Sequence, residues 1–198
     1  SCQLQAAFNY ERMQSAGWLW AILPGLTKIH TNKEDLALSM SHNMDFINTH
    51  PFLVTFVMGM VLSMEQQKVD TTTIRSVRIS TAAPLGGIGD ALFWYTLIPI
   101  VAGMTANMAI AGNVMGPIIY FVVAFGVEMA LRYACLYWSY NLGTQAVVMM
   151  TANAKEFTHA AATLGVFIVG ALIANYGGGT QLGMVLENGE SPIVIQDY

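Results

Sequence analysis

The sequence predicts an all-α integral membrane protein with amphipathic N-terminal helices, re-entrant half-helices, transmembrane helices and a short irregular or β-like C-terminal stretch. Charged residues make up 10% of the 198 residues, against about 25% in soluble proteins. Charges are absent from residues 91–131 except Glu128, and again from 133–154 and 157–186. Because a soluble helix needs a charged outer face, these gaps favour a bilayer over the alternative, a helical core within a large soluble assembly.

The composition also excludes several classes of function. The net charge is −4 and there is no basic tract, so we expect no nucleic acid as substrate. Cys2 and Cys135 lie far apart and in no metal-ligand spacing. No Ser–His–Asp or Cys–His pattern indicates a nucleophile. We therefore expect no catalytic residue, no cofactor and no metal in this chain.

The N-terminal 47 residues are interpreted as an amphipathic helical arm, and residues 48–198 as the membrane domain. Residues 4–30 predict a helix that is interrupted at Pro24 and Gly25 and mixes aromatic with charged side chains. Such a helix lies at the membrane–water interface or packs on protein. Thr31 or Asn32 is expected to cap a second helix that reaches about Phe46.

A polar turn of three residues precedes a proline and a short apolar run with polar residues at its end: Asn48, Thr49 and His50 before Pro51, and Glu65 and Gln66 after residues 52–64. The 13 apolar residues rise about 20 Å as a helix, too little to cross a hydrocarbon layer of about 30 Å. We interpret them as a re-entrant half-helix that protein or a water-filled cavity receives. Asn48 or Thr49 is its expected cap, with Pro51 in the first turn.

A second motif, TAAPLGGIGD, spans residues 81–90 and is interpreted as a turn in which Gly86, Gly87 and Gly89 supply backbone freedom. The glycine spacing matches neither GxGxxG nor GxxxxGK[ST], which argues against a nucleotide site. The preceding segment carries Lys68, Arg75 and Arg78 and is expected on the cytoplasmic side.

Three later segments are long enough to cross a membrane. Residues 91–110 are uncharged, with an expected kink before Pro99. Residues 118–137 follow, and their Glu128 and Arg132 are four apart and are expected to pair. Residues 157–175 form the third candidate, after which the chain is expected outside the cell. Because the chain begins on Ser1 and ends without a closing helix, we expect that it is truncated at both ends.

Polar side chains near the apolar segments are the candidates for substrate binding: Asn48, Thr49, His50, Glu65, Gln66 and Asp90. Together with the aromatic residues 93–95 they form an inventory suited to a neutral sugar. Other roles stay open at this point. Asn48 and Asp90 occupy positions typical of helix caps, Glu65 can mark a return to water, and His50 can be structural. His30, His42 and His159 are interpreted as ordinary surface or core residues.

Three motifs, FNYERMQSAGWLWAILP, NTHPFLVTFVMGMVLSMEQQ and APLGGIGDALFWYTLIPIVAG, closely resemble the IID subunit of mannose-family phosphotransferase system (PTS) permeases. Within that family they look most like members for N-acetylgalactosamine or related amino sugars. Family members are longer than this chain. Many mannose-type members have Gln where this chain has His50, a difference that matches amino-sugar use or is neutral.

The resemblance implies a membrane subunit that binds and moves a hexose or amino sugar together with a IIC subunit, in a trimer of IIC–IID heterodimers in the bacterial inner membrane. Soluble IIA and IIB phosphocarriers supply the phosphate, and IID itself carries none. The sugar is expected between IIC and IID. Two alternatives stay open: a non-catalytic scaffold or receptor subunit of the permease, and an ion-coupled secondary sugar transporter.

Overall fold

The computed structural model describes residues 2–143 and the single residues 145, 159, 163, 166, 167, 170 and 173. The helices are α1 (Ser15–Ile29), α2 (Lys33–Asn43), α3 (Val54–Gln66), α4 (Thr71–Gly89), α5 (Ile98–Ile110) and α6 (Met115–Leu142), with a π-helical segment, Asp90–Leu97, between α4 and α5. No strand is present in this described part, so the all-helical prediction is confirmed there. The candidate crossing at 157–175 and the C-terminal stretch lie largely or wholly outside the described residues.

The N-terminal arm differs from its prediction in two ways. Helix α1 begins at Ser15 rather than near residue 4, and the preceding residues form turns. Pro24 lies inside α1 without interrupting it. A proline removes one backbone hydrogen bond, but α1 buries Trp18, Ile22 and Leu26 in the core on both sides of Pro24. The burial of these apolar side chains outweighs the lost bond.

Helix α2 begins where the sequence predicts. The Asn32 side chain accepts a hydrogen bond from the Glu34 amide at 3.2 Å, which confirms Asn32 as the cap. The acidic residues Glu34 and Asp35 occupy the first turn, where they interact favourably with the helix dipole. The helix ends at Asn43, three residues before the predicted end.

Helix α3 is the short apolar helix, but neither Asn48 nor Thr49 caps it. The N-cap is Leu53, which makes no side-chain capping bond, and Pro51 lies in the turn before the helix. The prediction failed because a turn, closed by the Leu53 amide donating to the His50 carbonyl at 3.1 Å, separates Asn48 and Thr49 from Val54, the first residue of α3. All of α3 except Leu62 and Gln66 is buried, so protein encloses this half-length helix as predicted.

The glycine turn predicted at residues 81–90 is wrong, because α4 runs through it without a break. Gly86, Gly87 and Gly89 all lie within α4, and the backbone of Gly89 is helical, with φ −63° and ψ −43°. Glycine permits a turn but does not impose one, and an apolar helix keeps its backbone hydrogen bonds. Asp90 also has helical backbone angles, so the capping alternative for Asp90 is excluded.

Helix α4, the π-helical segment and α5 form one continuous 40-residue stretch, Thr71–Ile110. The π-helical segment ends directly before Ile98 and Pro99. Pro99 has no amide hydrogen and its ring crowds the carbonyl four residues earlier, which accounts for wider hydrogen-bond spacing there. The hydroxyl of Thr96 donates to the Ala91 carbonyl at 2.8 Å. The perturbation expected before Pro99 is therefore a π-helical segment.

Helix α6 packs along α3 and α5. A Cβ on Gly59 of α3 would lie 2.2 Å from the Ser139 Oγ and 2.4 Å from the Leu136 carbonyl oxygen of α6, so these helices approach almost backbone to backbone. Arg132 and Glu128 pair at 2.7 Å on α6, as predicted. The Arg132 guanidinium also lies 5.9 Å from the centre of the Phe52 ring.

By length and composition, Thr71–Ile110 and Met115–Leu142 are candidates to cross a membrane. Much of the α6 surface is apolar and exposed within the described part of the chain, including Phe121, Val122, Phe125, Tyr133 and Tyr137. A surface of this extent requires lipid or a protein partner to cover it. The exposed face of α6 is therefore a surface for lipid or for a partner protein.

Candidate functional site

His50 is the most enclosed residue of the polar turn, which we define as Asn48, Thr49 and His50. Its side chain is fully buried. The imidazole stacks on Phe93 with centroids 5.1 Å apart and planes 20° apart, and Phe52 meets it edge-on at 5.1 Å. Trp94 closes a third side at 5.4 Å. The aromatic residues that follow Asp90 in the sequence therefore surround the polar turn.

Gly89 creates the space that the His50 ring occupies. A Cβ at Gly89 would lie 2.2 Å from His50 Cγ and 2.3 Å from His50 Cβ. By contrast, no atom lies within 4 Å of a Cβ built on Gly86 or Gly87. The function of Gly89 is thus close packing between α4 and the polar turn, rather than backbone freedom in a loop.

The hydrogen bonds of His50 define its tautomer. Its Nδ1 accepts the Phe52 amide at 3.2 Å, so a neutral imidazole carries its proton on Nε2. That buried Nε2 has no hydrogen-bond partner among the described residues. It lies 4.0 Å from the Asp90 carboxylate, too far for a direct hydrogen bond. At this distance one ligand oxygen or water could hydrogen-bond to both groups.

The other two residues of the polar turn are oriented differently. The Asn48 side chain is exposed, whereas Thr49 is buried. The Thr49 Oγ1 has no hydrogen-bond partner in the described part of the chain. Both peptide groups of Thr49 are bound, because its amide donates to Gln14 Oε1 at 3.0 Å and its carbonyl accepts from Gln14 Nε2 at 2.9 Å.

Glu65 lies at the opposite end of α3 and organises a second group of residues. We define the Glu65 cluster as Glu65 with His30, Ser39, His42 and Asn43. His30 Nε2 contacts Oε2 of Glu65 at 2.8 Å, and His42 Nε2 contacts Oε1 at 2.9 Å. Ser39 donates to Oε1 at 2.7 Å, with Asn43 at 3.4 Å. The carboxylate therefore joins the residue after α1, helix α2 and helix α3.

These contacts fix the charge of Glu65. Burial opposes its ionisation, but hydrogen bonds from His42, Ser39 and His30 outweigh burial and lower the pKa of Glu65 from 4.5 to about 2. Glu65 is therefore an anion at neutral pH. A cavity of about 320 Å³ adjoins it, with Asp35 and Lys68 among the other lining residues. No set of three ligand side chains in the described residues is arranged to hold a metal ion.

The structure brings His50 and Asp90 together but separates them from Glu65 and Gln66. Fourteen residues lie between His50 and Glu65, and most of them belong to α3, which is about 20 Å long. Gln66 is exposed and accepts a hydrogen bond from the Tyr140 hydroxyl of α6. The predicted site residues thus occupy both ends of the half-length helix instead of one site.

Sequence reasoning missed several residues that organise these sites. His30 and His42 were expected to be ordinary, yet both bind Glu65. Arg78 was expected in a cytoplasmic polar segment, yet it is fully buried and donates to the His42 carbonyl at 2.9 Å. The one available signal was Glu65 itself, because a carboxylate in an apolar helix requires partners. The identity of the Glu65 partners depends on chain separations of 22 to 35 residues, which no local pattern reveals.

Comparison with known proteins agrees with this architecture. The family described as "PTS system mannose/fructose/sorbose family IID component" matches residues 1–198. The chain is 30% identical over 176 residues to the PTS system mannose-specific EIID component of Escherichia coli strain K12, covering 85% of this chain and 62% of that protein. It is 31% identical over 178 residues to the PTS system sorbose-specific EIID component of Lacticaseibacillus casei, covering 87% and 63%.

A solved structure supports the same assignment. The chain superimposes with a TM-score of 0.68 and 29% identity on the cryo-EM structure of the mannose transporter ManYZ in complex with microcin E492, covering 87% of this chain and 66% of that one. The chain therefore spans a little under two thirds of these relatives. From the match over its whole length, the chain belongs to the IID component family of the mannose/fructose/sorbose phosphotransferase systems, a family of membrane proteins.

Proposed function

We propose that this protein is the IID membrane subunit of a PTS sugar permease, which binds and translocates a hexose or amino sugar together with a IIC subunit. Transport is coupled to phosphorylation of the sugar by IIB. The family match supports the permease, since the relatives are named as mannose- and sorbose-specific components. The polar and aromatic residues around His50 and Asp90 support a sugar as the substrate.

One observation carries the proposal: the buried His50 N–H and the Asp90 carboxylate face each other at 4.0 Å without a direct hydrogen bond. A sugar hydroxyl between them accepts from His50 and donates to Asp90, which satisfies both groups. Trp94 is partly exposed beside Asp90, and its ring offers a face to the C–H side of a sugar. Asn48 and Thr49 add further polar groups from the same turn.

We propose N-acetylgalactosamine or galactosamine as the substrate. A neutral His50 with its proton on Nε2 is a hydrogen-bond donor, and an acetamido carbonyl or a ring hydroxyl is a suitable acceptor. The resemblance of the motifs to amino-sugar members points the same way. The mannose, sorbose and fructose names of the relatives make these three sugars the competitors in any test.

Glu65 and Gln66 are proposed as a second group of sugar contacts, at the other end of α3. Both Glu65 oxygens already accept hydrogen bonds, so a sugar hydroxyl there must replace His30, Ser39 or His42. The 320 Å³ cavity beside Glu65 supports this second contact. A translocating sugar that passes along α3 would meet the two groups in turn.

The proposed partners are IIC in the membrane and soluble IIA and IIB proteins, with IIC and IID arranged as a trimer of heterodimers. The proposed location is the bacterial inner membrane, with several crossings. The exposed apolar face of α6 supports contact with IIC or lipid.

The division into an arm, residues 1–47, and a membrane domain, residues 48–198, stays a prediction. Helix α1 of the arm shares its buried core with α3 and α4.

The test is sugar binding to the purified full-length complex with IIC. We expect N-acetylgalactosamine or galactosamine to bind more tightly than mannose, sorbose or fructose. Asp90→Asn and His50→Ala each remove one side of the proposed bridge, and we expect each to weaken binding by about tenfold or more. Gly89→Ala should do the same, because its Cβ displaces the imidazole.

Gly87→Ala is the matched control, since nothing lies within 4 Å of its Cβ and it should keep full affinity. Glu65→Gln tests the second group by the same measurement. Unchanged affinity in all three variants of the His50 end would overturn the proposed site. Equal sugar affinity of IIC without this subunit would favour the scaffold alternative, and gradient-driven uptake without IIB would favour the secondary transporter.

A further inference from the structure

The N-terminal arm reaches the polar turn through one side chain, Gln14. Gln14 is 2% exposed. It occupies the N-cap position of α1, but its side chain makes no capping bond there. The amide instead crosses to a segment 35 residues later in the chain. Its carbonyl oxygen and its nitrogen both bind Thr49, at 3.0 and 2.9 Å.

In this contact the side-chain amide of Gln14 takes the place of a peptide group in a neighbouring β-strand. The Gln14 backbone amide donates to the Ile47 carbonyl at 3.0 Å, and the Gln14 side-chain amide then pairs with both peptide groups of Thr49. Three hydrogen bonds thus fix the residues on either side of Asn48. Ile47 and Thr49 are buried while Asn48 is exposed, so the pairing determines which way Asn48 is presented.

The backbone before Gln14 is held in an unfavourable conformation. Met13 has φ 52°, which is uncommon for a residue with a side chain and persists only where the surroundings impose it. Two hydrogen bonds between Asn9 and Met13, at 2.8 and 3.3 Å, hold this turn, and Met13 forms a bridge with Ile47. The turn directs Gln14 towards Thr49.

From these contacts we propose that Gln14 is the positioning residue of the polar turn: it sets the backbone of Thr49, and so the placement of Asn48 and His50, without touching the sugar. The role needs a neutral amide, since only a group that both donates and accepts can bind the amide and the carbonyl of one residue. Glutamate cannot donate, and asparagine is one methylene shorter. The inference rests on the proposed function, because it assigns Gln14 to the same sugar site.

The decisive variant is Gln14→Met, which keeps the length of the side chain and removes both hydrogen bonds. In the full-length complex with IIC, we expect sugar affinity to fall about tenfold or more while the complex still assembles. Hydrogen–deuterium exchange of the peptide that contains Thr49 should accelerate, since its amide loses its acceptor. The maximal transport rate at saturating sugar should change less than the half-saturating concentration.

Gln67→Met is the matched control. The Gln67 amide donates to Ser63 at 3.1 Å at the far end of α3, so its loss costs one side-chain hydrogen bond without touching the polar turn. We expect unchanged affinity. If Gln14→Met prevented assembly, Gln14→Asn would serve in its place, because it keeps the polarity and still cannot span both groups of Thr49.

The outcomes separate the two proposals. Normal affinity in Gln14→Met, or an equal loss in Gln67→Met, overturns the positioning role. Normal affinity in Asp90→Asn and His50→Ala, with a loss in Gln14→Met, contradicts the proposed contacts of His50 and Asp90 and leaves the positioning of the turn by Gln14 in place.

Discussion

At the scale of single residues, the buried side chains of Glu65 and His50 differ in whether their polar atoms have hydrogen-bond partners. Both oxygens of Glu65 are bound, one by His30 directly after α1 and the other by His42 of α2. His50 retains a buried N–H without a partner among the described residues. A buried polar group without a partner costs about 1–3 kcal/mol. This cost supports the proposed sugar contact at His50, whereas a sugar at Glu65 would first have to replace one of the groups that Glu65 already binds.

The pKa of Glu65 gives a prediction about acid stability. Because the folded pKa is about 2 against 4.5 normally, ionised Glu65 stabilises the fold above about pH 4.5 and this contribution is lost as the pH falls towards 2. Glu65→Gln should lower the melting temperature of the purified complex at neutral pH. It should also remove the part of the fall in melting temperature between about pH 4.5 and pH 2 that depends on this group.

Thermal unfolding in a pH series measures this difference. Glu34→Gln is the control, since Glu34 is an exposed carboxylate in the first turn of α2. The pH dependence of the melting temperature should change in Glu65→Gln and should stay like that of the wild type in Glu34→Gln. Parallel pH curves for wild type and Glu65→Gln would show that the cluster contributes no ionisation-dependent stability.

At the scale of secondary-structure elements, the short helix α3 owes its position to close packing. It is buried along nearly its whole length, and Gly59 lets it approach the backbone of α6. The continuous α4–π–α5 stretch supplies the opposite wall, with Gly89 against His50. Segments of π-helix often occur at functional sites, and here the π-helical segment carries Asp90, Phe93 and Trp94.

Gly59→Ala should separate α3 from α6, because the new Cβ would overlap Ser139 and the Leu136 carbonyl. Overpacking of this kind costs about 1–3 kcal/mol or more, so we expect a lower melting temperature and a lower yield of the complex. Gly126→Ala on the exposed side of α6, where nothing lies within 4 Å, should be neutral or slightly stabilising. A Gly59→Ala protein as stable as the Gly126→Ala protein would contradict this packing.

At the scale of the whole molecule, the apolar surface determines how the protein behaves. Helix α6 has 28 residues and is long enough to cross a bilayer, at about 42 Å, and it exposes a row of large apolar side chains. Little else in the described part of the chain covers it. Such a molecule must meet lipid, detergent or a partner on this face.

We therefore expect the protein to stay in the membrane fraction of expressing cells after washing with alkaline carbonate, and to enter solution only with detergent. A soluble IIB protein expressed in the same cells is the control, since the wash should release it. Recovery of this chain as a detergent-free monomer would contradict the assignment of α6 to the membrane.

The sequence by itself determined the elements that depend on local chemistry and composition. The charge-free stretches indicate the membrane, the 13 apolar residues give the length of α3, Asn32 caps α2, and Glu128 and Arg132 pair because four residues make one helical turn. The three motifs also identify the family, as the match over residues 1–198 confirms.

Only the tertiary structure decided which polar groups meet. It placed Glu65 with His30 and His42 rather than with His50, kept α4 helical through Gly86, Gly87 and Gly89, and brought Gln14 to Thr49. The physical reason is how far apart along the chain the interacting residues lie. A cap or a helical ion pair forms between residues three or four apart, whereas these contacts join residues 23 to 35 apart, whose meeting depends on how the helices pack.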